Sequence, residues 1–277
     1  MKNTPRVKIT GNTRVLTILA HPAINVTAPM VFNHIFKAAD LDMVYIPHDV
    51  LPLGVKETIS AYRQWNNLSG FNVTIPHKES VAKLVDRSVP PADRLGAVNT
   101  VVRSPEGSLI GYNTDGTGAL RALGDVKGSH CLIIGAGGAA RAIIDSLVEA
   151  GAEHIFLLNR TPENANSLME LFPRGRISLF SQASLSEIDI VVQATPLTNH
   201  VPFDLDIELL RKGAKVLETV MRETAFSREV LRYGLELIPG HAMLYHQTKT
   251  NFELLSGIEV PDDIIKDAFR SLGYIAP

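Results

Sequence analysis

The sequence predicts an α/β protein built from two units, and three observations support that class. Short, β-branched apolar runs alternate with longer helix-like segments along most of the chain. A glycine-rich stretch, "GAGGAARA", separates one of these runs from the helix-like segment that follows it. Two more helix-like segments follow the last strand-like run. Strands joined by helices favour parallel sheets with right-handed crossovers, so we expect such a sheet here.

The first unit is expected to extend to about Asp115. We predict a hairpin from "AVNTVVR" and "SLIGYN", joined by the turn "SPEG". The other predicted strands are 15–20, 43–48 and 70–75, and the predicted helices are 29–41, with Pro29 in its first turn, 56–66 and 78–85.

The second unit is expected to contain a parallel sheet. Its predicted strands are 131–135, 154–160, 187–195 and 215–220, and its predicted helices are 137–151 and 162–172. Two helices, 241–258 and 261–273, are predicted for the tail.

Composition excludes several classes of protein. The 277 residues suffice for one large or two ordinary domains, and 45% hydrophobic and 20% charged residues are typical of globular proteins. A formal charge of −2 offers no basic surface for nucleic acid. The single cysteine, Cys131, excludes an intrachain disulfide and a thiolate metal cage. The sequence has no apolar run long enough to cross a bilayer, and its N-terminus lacks the apolar core of a signal peptide. We therefore expect a cytoplasmic protein.

The stretch "LIIGAGGAARAI" carries glycines at the spacing of a dinucleotide-binding turn. Gly135 would make the tight turn, Gly137 would let the backbone approach a pyrophosphate, and Ala140 would let the helix pack closely on the strand. The free N–H groups and positive end of the helix dipole would attract the phosphates. The alternative is an ordinary glycine-rich turn without a ligand, but its position between a predicted strand and helix favours nucleotide binding.

The end of the next predicted strand bears on the choice of cofactor. An NAD site usually has Asp or Glu there, whereas this strand ends in Asn159, Arg160 and Thr161. The guanidinium of Arg160 suits a 2′-phosphate, so we predict NADP rather than NAD. Glu163 and Asn164 follow where a second cation would strengthen that prediction. Alternatively, Arg160 is a solvated residue at the start of a helix.

Three polar residues near the predicted domain junction could serve a nicotinamide enzyme, which needs a group that exchanges a proton with the reacting oxygen. Lys78 opens a predicted helix directly after Pro76 and His77. Asp115 lies among glycines in "GYNTDGTG", and Asn99 in "GAVNT". Each has a structural alternative: Lys78 as a surface charge, Asp115 as a helix N-cap, and Asn99 as a turn residue.

In combination and order, these segments resemble the shikimate dehydrogenase family nearly end to end. The matching motifs are "NVTIPHK", "GAVNT", "NTDG", "GAGGAARA", "NRT", "ATP" and "GHAMLYHQ". The resemblance implies an N-terminal α/β substrate domain completed by C-terminal helices, residues 1–114 plus 240–277. It also implies a Rossmann-like nucleotide-binding domain, residues 115–239, inserted between them.

The resemblance also implies site residues. Lys78 and Asp115 would be the catalytic pair, with Lys78 passing a proton to the reacting oxygen and Asp115 orienting it. The implied substrate ligands are Asn72, Thr74, Asn99 and Gln247, and we predict Thr27 as a further substrate-binding residue. The implied cofactor ligands are Gly135, Ala136, Gly137, Gly138, Ala139, Asn159, Arg160, Thr161, Thr195 and Gly240. No metal is expected. The resemblance also implies an enzyme of aromatic amino-acid biosynthesis, and we expect it to be a monomer or a homodimer.

The first family motif, G-x-P-I-x-H-S-x-S-P, is altered here. Its two serines grip the substrate carboxylate, but the matching "AHPAINVTAP" places Val26 and Ala28 at those positions. Thr27 lies between them and would point the other way on a strand-like segment. A tyrosine that also contacts the carboxylate is replaced by Met221 in "ETVMRET". A carboxylate buried without partners is costly, so these changes favour a different substrate. Alternatively, a local register shift lets Asn25, Thr27 or Arg222 hold the carboxylate.

The predicted function is therefore reversible hydride transfer between NAD(P) and a cyclic polyol or its ketone: shikimate, 3-dehydroshikimate or a related compound. Two alternatives are a catalytically idle nucleotide-binding regulator and another two-domain enzyme such as a methylene-tetrahydrofolate dehydrogenase. The idle regulator is disfavoured because the chain retains all four of Lys78, Asp115, Asn99 and Gln247. The pair of "GAVNT" and "NTDG" argues against the second.

Overall fold

A computed structural model describes residues 9–275 of the chain, apart from the side chains of residues 182–184. These residues form two compact units. Residues 9–113 and 248–275 make up the first unit, and residues 114–247 make up the second. In the described residues, no helix is long and apolar enough to cross a membrane.

The first unit contains a mixed six-stranded sheet. In chain order its strands are β1 (Arg14–Ala20), β2 (Met43–Asp49), β3 (Leu68–Val73), β4 (Arg87–Ser88), β5 (Thr100–Arg103) and β6 (Leu109–Tyr112). Their order across the sheet is β2-β1-β3-β5-β6-β4. β1 pairs in parallel with β2 and β3, so the turns that follow these three strands lie at one edge of the sheet. β5 and β6 form the predicted hairpin.

Helices of the first unit pack on this sheet. They are α1 (Ala28–Ala38), α2 (Val55–Gln64), α3 (Lys78–Ala82) and α4 (Ala92–Leu95). All six residues of β3 are buried, as expected of a strand covered on both faces. Gly70 is required in β3, because a Cβ there would lie 2.4 Å from the carbonyl oxygen of Val101 and 2.7 Å from Leu255 Cδ2.

The second unit contains an entirely parallel six-stranded sheet. Its strands are β7 (His130–Ile134), β8 (His154–Leu158), β9 (Ile177–Leu179), β10 (Ile190–Gln193), β11 (Lys215–Glu218) and β12 (Glu236–Ile238). The order is β12-β11-β10-β7-β8-β9, and every pairing is parallel. Its helices are α5 (Asp115–Leu123), α6 (Gly138–Glu149), α7 (Pro162–Met169) and α8 (Ala225–Arg232). In such sheets ligands bind beyond the carboxyl ends of the strands.

Two helices follow β12 in the described part of the chain: α9 (Gly240–Ser256) and α10 (Asp262–Ser271). The change from second to first unit falls inside α9, between Gln247 and Thr248. The predicted α/β class with a Rossmann-like parallel sheet is confirmed. The sequence did not predict β4, β9, β12 and α4, which are short. It also missed α8, although Phe226 and Val230 recur there at helical spacing after the capping residue Thr224.

Candidate active site

The glycine-rich turn of the second unit has the predicted geometry at the carboxyl end of β7. Gly135 has φ +114°, a conformation that favours glycine. A Cβ at Gly135 would lie 3.0 Å from both the carbonyl oxygen of Ala194 and Cγ2 of Thr195. The turn therefore packs closely against the "ATP" segment that follows β10.

The N-terminus of α6 follows this turn and has no side-chain cap. Its N-cap is Gly137, where a Cβ would meet no atom within 4 Å. Ala140 is fully buried, so the helix packs closely on its sheet as predicted. The N-cap position at the carboxyl end of β7 is therefore open, and Gly138 and Ala139 begin the helix directly after it. This arrangement fits the pyrophosphate of a dinucleotide.

The turn after β8 is ordered by a local hydrogen bond. Asn159 Nδ2 donates to the carbonyl oxygen of Thr161 at 2.8 Å. Arg160 and Glu163 are both solvent-exposed. An exposed guanidinium at the strand end can meet a 2′-phosphate, and Asn159 contributes no carboxylate for a ribose hydroxyl.

Two further turns at this edge contain predicted cofactor residues. The backbone N–H and hydroxyl of Thr195 both donate to Oε1 of the buried Gln193, at 2.7 and 2.8 Å. Gly240 opens α9 against the end of β11. A Cβ at Gly240 would lie 2.8–3.0 Å from the carbonyl oxygens of Glu218, Thr219 and Val220, so glycine is needed for this approach.

Asp115 is held by Gln247 within the second unit. Asp115 is the first residue of α5 and only 4% exposed, and its Oδ1 accepts a hydrogen bond of 2.9 Å from Gln247 Nε2. The N-cap of α5 is Thr114, so the alternative in which Asp115 caps this helix is wrong. A buried carboxylate oriented by an amide can fix the position of a cation or a hydroxyl group.

In the first unit, Lys78 is the first residue of α3 and is partly buried. Its carbonyl oxygen accepts a hydrogen bond from Val98 N at 3.1 Å, which ties the start of α3 to the segment that carries Asn99. The neighbouring His77 is buried and donates from Nε2 to the carbonyl oxygen of Val50 at 2.7 Å. Burial lowers the pKa of His77, which favours the neutral imidazole beside Lys78.

Asn72 lies in a buried polar network rather than at an open surface. Tyr45 Oη donates to Asn72 Oδ1 at 2.6 Å, and Asn72 Nδ2 donates to the Asn99 carbonyl at 3.1 Å and to Thr100 Oγ1 at 2.9 Å. The Thr100 hydroxyl lies 3.0 Å from Oδ1 of both Asn99 and Asn251, and its one hydrogen can serve one of them at a time. Both N–H groups of Asn72 are therefore used within the protein.

Sequence reasoning missed Tyr45, Thr100 and Asn251 as members of this network. Thr100 stands in the recognised "GAVNT" motif, which was its only sequence signal. Tyr45 lies within a strand, where an aromatic residue is ordinary.

The altered first motif is not a strand. Residues 23–25 form a 3₁₀ turn, and Thr27 adopts αR geometry as the N-cap of α1, without a side-chain cap bond. The expectation that Thr27 points away on a strand-like segment is therefore wrong, because the period-two alternation of a strand does not apply there. Val26, Thr27 and Ala28 are each partly buried, as is Thr74 after β3.

Among the residues that the structure describes, no group of three or more His, Cys, Asp or Glu side chains could hold a metal ion. The architecture and these side chains define the class of protein. It is a nucleotide-binding α/β oxidoreductase with a Rossmann-like unit and a second α/β unit that carries a lysine and several amides.

Comparison with known proteins specifies the family. Residues 18–101 match the family described as the shikimate dehydrogenase substrate binding domain, and residues 117–230 match shikimate / quinate 5-dehydrogenase. A shikimate dehydrogenase (NADP(+)) of Methanothermobacter thermautotrophicus is 37% identical over 95% of this chain and 98% of the relative. The enzyme of the same name from Rubrobacter xylanophilus is 39% identical over 87% and 89%. The chain belongs to the shikimate dehydrogenase family.

Solved structures agree with this assignment. Shikimate 5-dehydrogenase from Thermus thermophilus, in complex with NADP(H) and shikimate, has a TM-score of 0.82 at 30% identity and covers 93% of this chain and 99% of its own. The ligand-free 5-ketofructose reductase of a Gluconobacter species has a TM-score of 0.79 at 27% identity, covering 94% and 99%. The predicted nicotinamide-dependent oxidoreductase of the shikimate dehydrogenase type is confirmed at the level of class.

Proposed function

We propose that this chain catalyses reversible hydride transfer between NADP and a hydroxyl-bearing carbon of a small cyclic polyol, shikimate or a related compound. The observation that carries the cofactor assignment is the uncapped N-terminus of α6 behind the Gly135–Gly137 turn, with Arg160 exposed at the end of β8. The family relatives are named for NADP(+), which supports the same choice.

The cofactor would be held by the second unit. The N–H groups at the start of α6 would bind its pyrophosphate, and Arg160 would bind the 2′-phosphate. The nicotinamide supplies the hydride acceptor or donor when it is bound. Ala136, Thr161, Thr195 and Gly240 would complete the binding surface, and the close approaches at Gly135 and Gly240 keep these turns in place.

Lys78 and Asp115 would supply the proton chemistry. The Lys78 ammonium would donate a proton to the developing alkoxide during reduction and would accept one during oxidation. Asp115, oriented by Gln247, would orient a cation or substrate hydroxyl. Asn99 and Thr74 would bind substrate hydroxyls. Asn72 would act through Asn99, because both of its N–H groups bond to protein.

The substrate would be one whose recognition does not depend on a tightly gripped carboxylate. Val26 and Ala28 offer no hydroxyl groups at two positions where the family carries serines, and Met221 offers none at a third. An unpartnered buried carboxylate costs several kcal/mol. One neighbouring structure of this architecture is named for 5-ketofructose, a sugar without a carboxylate, which supports the idea.

The remaining assignments are proposals too. The substrate domain would comprise residues 1–114 and 240–277, with the nucleotide-binding domain at 115–239. The enzyme would act in the cytoplasm as a monomer or homodimer on small molecules alone. A catalytically idle regulator is not favoured, since the relatives bear the names of enzymes.

Cofactor reduction tests the proposal directly. The purified chain is assayed with NADP and with NAD against shikimate, quinate and a panel of cyclic polyols and keto sugars that lack a carboxylate. NADP-dependent turnover of at least one polyol supports the proposal. Tight binding of cofactor with no turnover of any substrate in either direction would instead support the regulator.

A further inference from the structure

Glu218 is a buried acid at the carboxyl end of a strand in the second unit. It ends β11, is 2% exposed, and follows the apolar residues Val216 and Leu217. A carboxylate is seldom buried unless it is paired or hydrogen-bonded. Its place at the ligand-binding edge of a parallel sheet makes its hydrogen bonds relevant to that edge.

Both carboxylate oxygens of Glu218 bond to the loop that follows it, residues 219–224. Oε1 accepts from Val220 N at 2.9 Å, and Oε2 accepts from the Thr224 hydroxyl at 2.8 Å. Thr224 is itself buried and is the N-cap of α8, where its hydroxyl oxygen accepts from Ser227 N. Glu218 thus bonds to the loop near both of its ends.

The same loop backbone is the surface on which α9 begins. The Gly240 Cα approaches the carbonyl oxygens of residues 218–220 so closely that a Cβ would clash. On the other side, Thr219 donates from its backbone N–H and hydroxyl to the carbonyl oxygen of Gln193, the last residue of β10. Any movement of the loop therefore disturbs two turns that carry proposed cofactor residues, Thr195 and Gly240.

We propose that Glu218 is a positioning residue for nicotinamide-cofactor binding: its carboxylate holds loop 219–224 in the shape on which Gly240 and the turn after β10 depend. This inference rests on the proposed function of the site. Glu218 would not touch the reacting atoms but would act through the loop.

The charge of Glu218 makes this role measurable. Burial raises its pKa to about 7, although the two hydrogen bonds from Val220 and Thr224 oppose the rise. Protonation places a hydrogen on an oxygen that otherwise accepts, so it weakens one of the two bonds. Cofactor affinity should therefore fall as the pH falls through 7.

Other titratable or charged groups on the neighbouring segments can be separated from Glu218. On the loop and α8, the exposed Glu223 and Arg228 form an ion pair of 2.8 Å, and Arg222 is exposed. On α9, burial lowers the pKa of His241, which is the opposite direction to the shift of Glu218. The partner of Glu218 in β10 is the uncharged Gln193.

Two pairs of variants test the inference on the full chain. Glu218→Gln keeps the size of the side chain but replaces an acceptor with a donor, and Glu236→Gln removes an exposed carboxylate from β12 as the control. Thr224→Val removes the hydroxyl that donates to Glu218, whereas Thr224→Ser retains it. The readouts are the dissociation constants of NADP and NAD across the neutral pH range and the hydrogen exchange of loop 219–224 without cofactor.

We expect Glu218→Gln to raise the NADP dissociation constant about tenfold or more above pH 7, as for a lost hydrogen bond to a charged group. It should abolish the pH dependence of NAD affinity that the Glu236→Gln control retains, since NAD lacks the titratable 2′-phosphate of NADP. It should also speed exchange of the Val220 amide. Thr224→Val should move the midpoint of the pH dependence of cofactor affinity to higher pH, and Thr224→Ser should leave that midpoint in place.

Two results overturn the inference, and they differ in what else they overturn. Wild-type affinity, pH profile and exchange in folded Glu218→Gln would remove Glu218 from cofactor positioning and leave the proposed function intact. If Glu218→Gln does not fold, an unshifted midpoint in folded Thr224→Val has the same meaning. Failure of the wild type to bind either cofactor would overturn both proposals.

Discussion

Lys78 is the residue whose chemistry is most specific to the proposed reaction. It lies at the start of α3, directly after a buried histidine, His77, whose lowered pKa leaves little of the protonated imidazole at neutral pH. We expect Lys78→Ala to lower kcat by about two to four orders of magnitude, the usual contribution of general acid–base catalysis. Steady-state kinetics and an NADP binding titration measure the effect.

The control for Lys78 is Lys83→Ala, which removes an exposed lysine just after the same helix. Folding and cofactor affinity should be unchanged in both variants. Near-normal turnover by Lys78→Ala would exclude this residue from the mechanism.

Arg160 is expected to determine the preference for NADP. Its exposed guanidinium can form a charge-assisted hydrogen bond with a 2′-phosphate, which is worth roughly 1.5–3 kcal/mol. Arg160→Ala should therefore weaken NADP binding by that amount and leave NAD binding nearly unchanged. Calorimetric titration of both cofactors measures this, with exposed Arg174→Ala as the control. A wild type that binds NAD at least as tightly as NADP would contradict the assignment and implicate Glu163.

Val26 and Ala28 provide a test of substrate recognition. Since hydroxyl groups at these positions are expected to bind a carboxylate, shikimate should have a high KM in the wild type. Val26→Ser with Ala28→Ser should lower it, because each restored hydrogen bond to a charged group contributes roughly 1.5–3 kcal/mol. The gain should appear mainly in KM, since these groups bind ground and transition states alike.

The control for this repair is Ala38→Ser, which introduces a hydroxyl at an exposed position at the end of α1, the helix that Ala28 begins. Efficient turnover of shikimate by the wild type at micromolar concentration would refute the idea. In that case Asn25, Thr27 or Arg222 holds the carboxylate.

At the scale of elements, the second unit depends on close helix packing around Asp115. Two glycines of α5 allow this packing. A Cβ at Gly116 would lie 2.3 Å from the carbonyl oxygen of Ala142 in α6, and one at Gly118 would lie 2.4 Å from Gln247 Cγ in α9. The two glycines that follow Asp115 in the sequence are thus explained by helix contacts rather than by turns.

Gly118→Ala should disrupt the orientation of Asp115 by displacing Gln247, whose amide donates to it. Over-packing of this kind costs about 1–3 kcal/mol of stability. We expect a lower thermal midpoint and a lower kcat/KM, measured by calorimetry and steady-state kinetics. Gly54→Ala, where the nearest atom would be at an ordinary 3.6 Å, is the control. Unchanged kinetics in Gly118→Ala would show that the Gln247–Asp115 bond is dispensable.

At the scale of the whole molecule, Glu218 should give stability a measurable dependence on pH. Its pKa rises from 4.5 to about 7 on folding because of burial, so the folded state binds the proton more tightly than the unfolded state. This contribution is fully present below pH 4.5 and is lost as the pH rises through 7. A shift of this size corresponds to about 3 kcal/mol.

Glu218→Gln should remove this dependence, so the variant should gain stability relative to the wild type as the pH rises from 4.5 to 7. Denaturant unfolding of both proteins across that range measures the difference. Asp49 and Asp86 have the opposite effect on the pH dependence of stability, because hydrogen bonds lower their pKa values from 3.8. Their effect therefore falls at lower pH than that of Glu218. Parallel pH profiles for the two proteins would show that Glu218 has an ordinary pKa.

The sequence by itself determined the α/β class, the positions of most strands and helices, the glycine-rich turn and the family. These features depend on local periodicity, on glycine conformation and on motifs that lie within a few residues of one another. "GAGGAARA" is one such motif, since each of its roles concerns the adjacent strand and helix.

Only the tertiary structure decided which polar side chains bond to one another, because hydrogen-bond partners distant in sequence leave no local pattern. It placed Asn72 in a network with Tyr45 and Thr100, and it joined Asp115 to Gln247 across 132 positions of the chain. It also showed that the segment around Thr27, which was expected to be strand-like, forms a 3₁₀ turn and the start of a helix. Glu218 lay unnoticed in an apolar run, since its burial and two hydrogen bonds exist only once the loop folds back over β11.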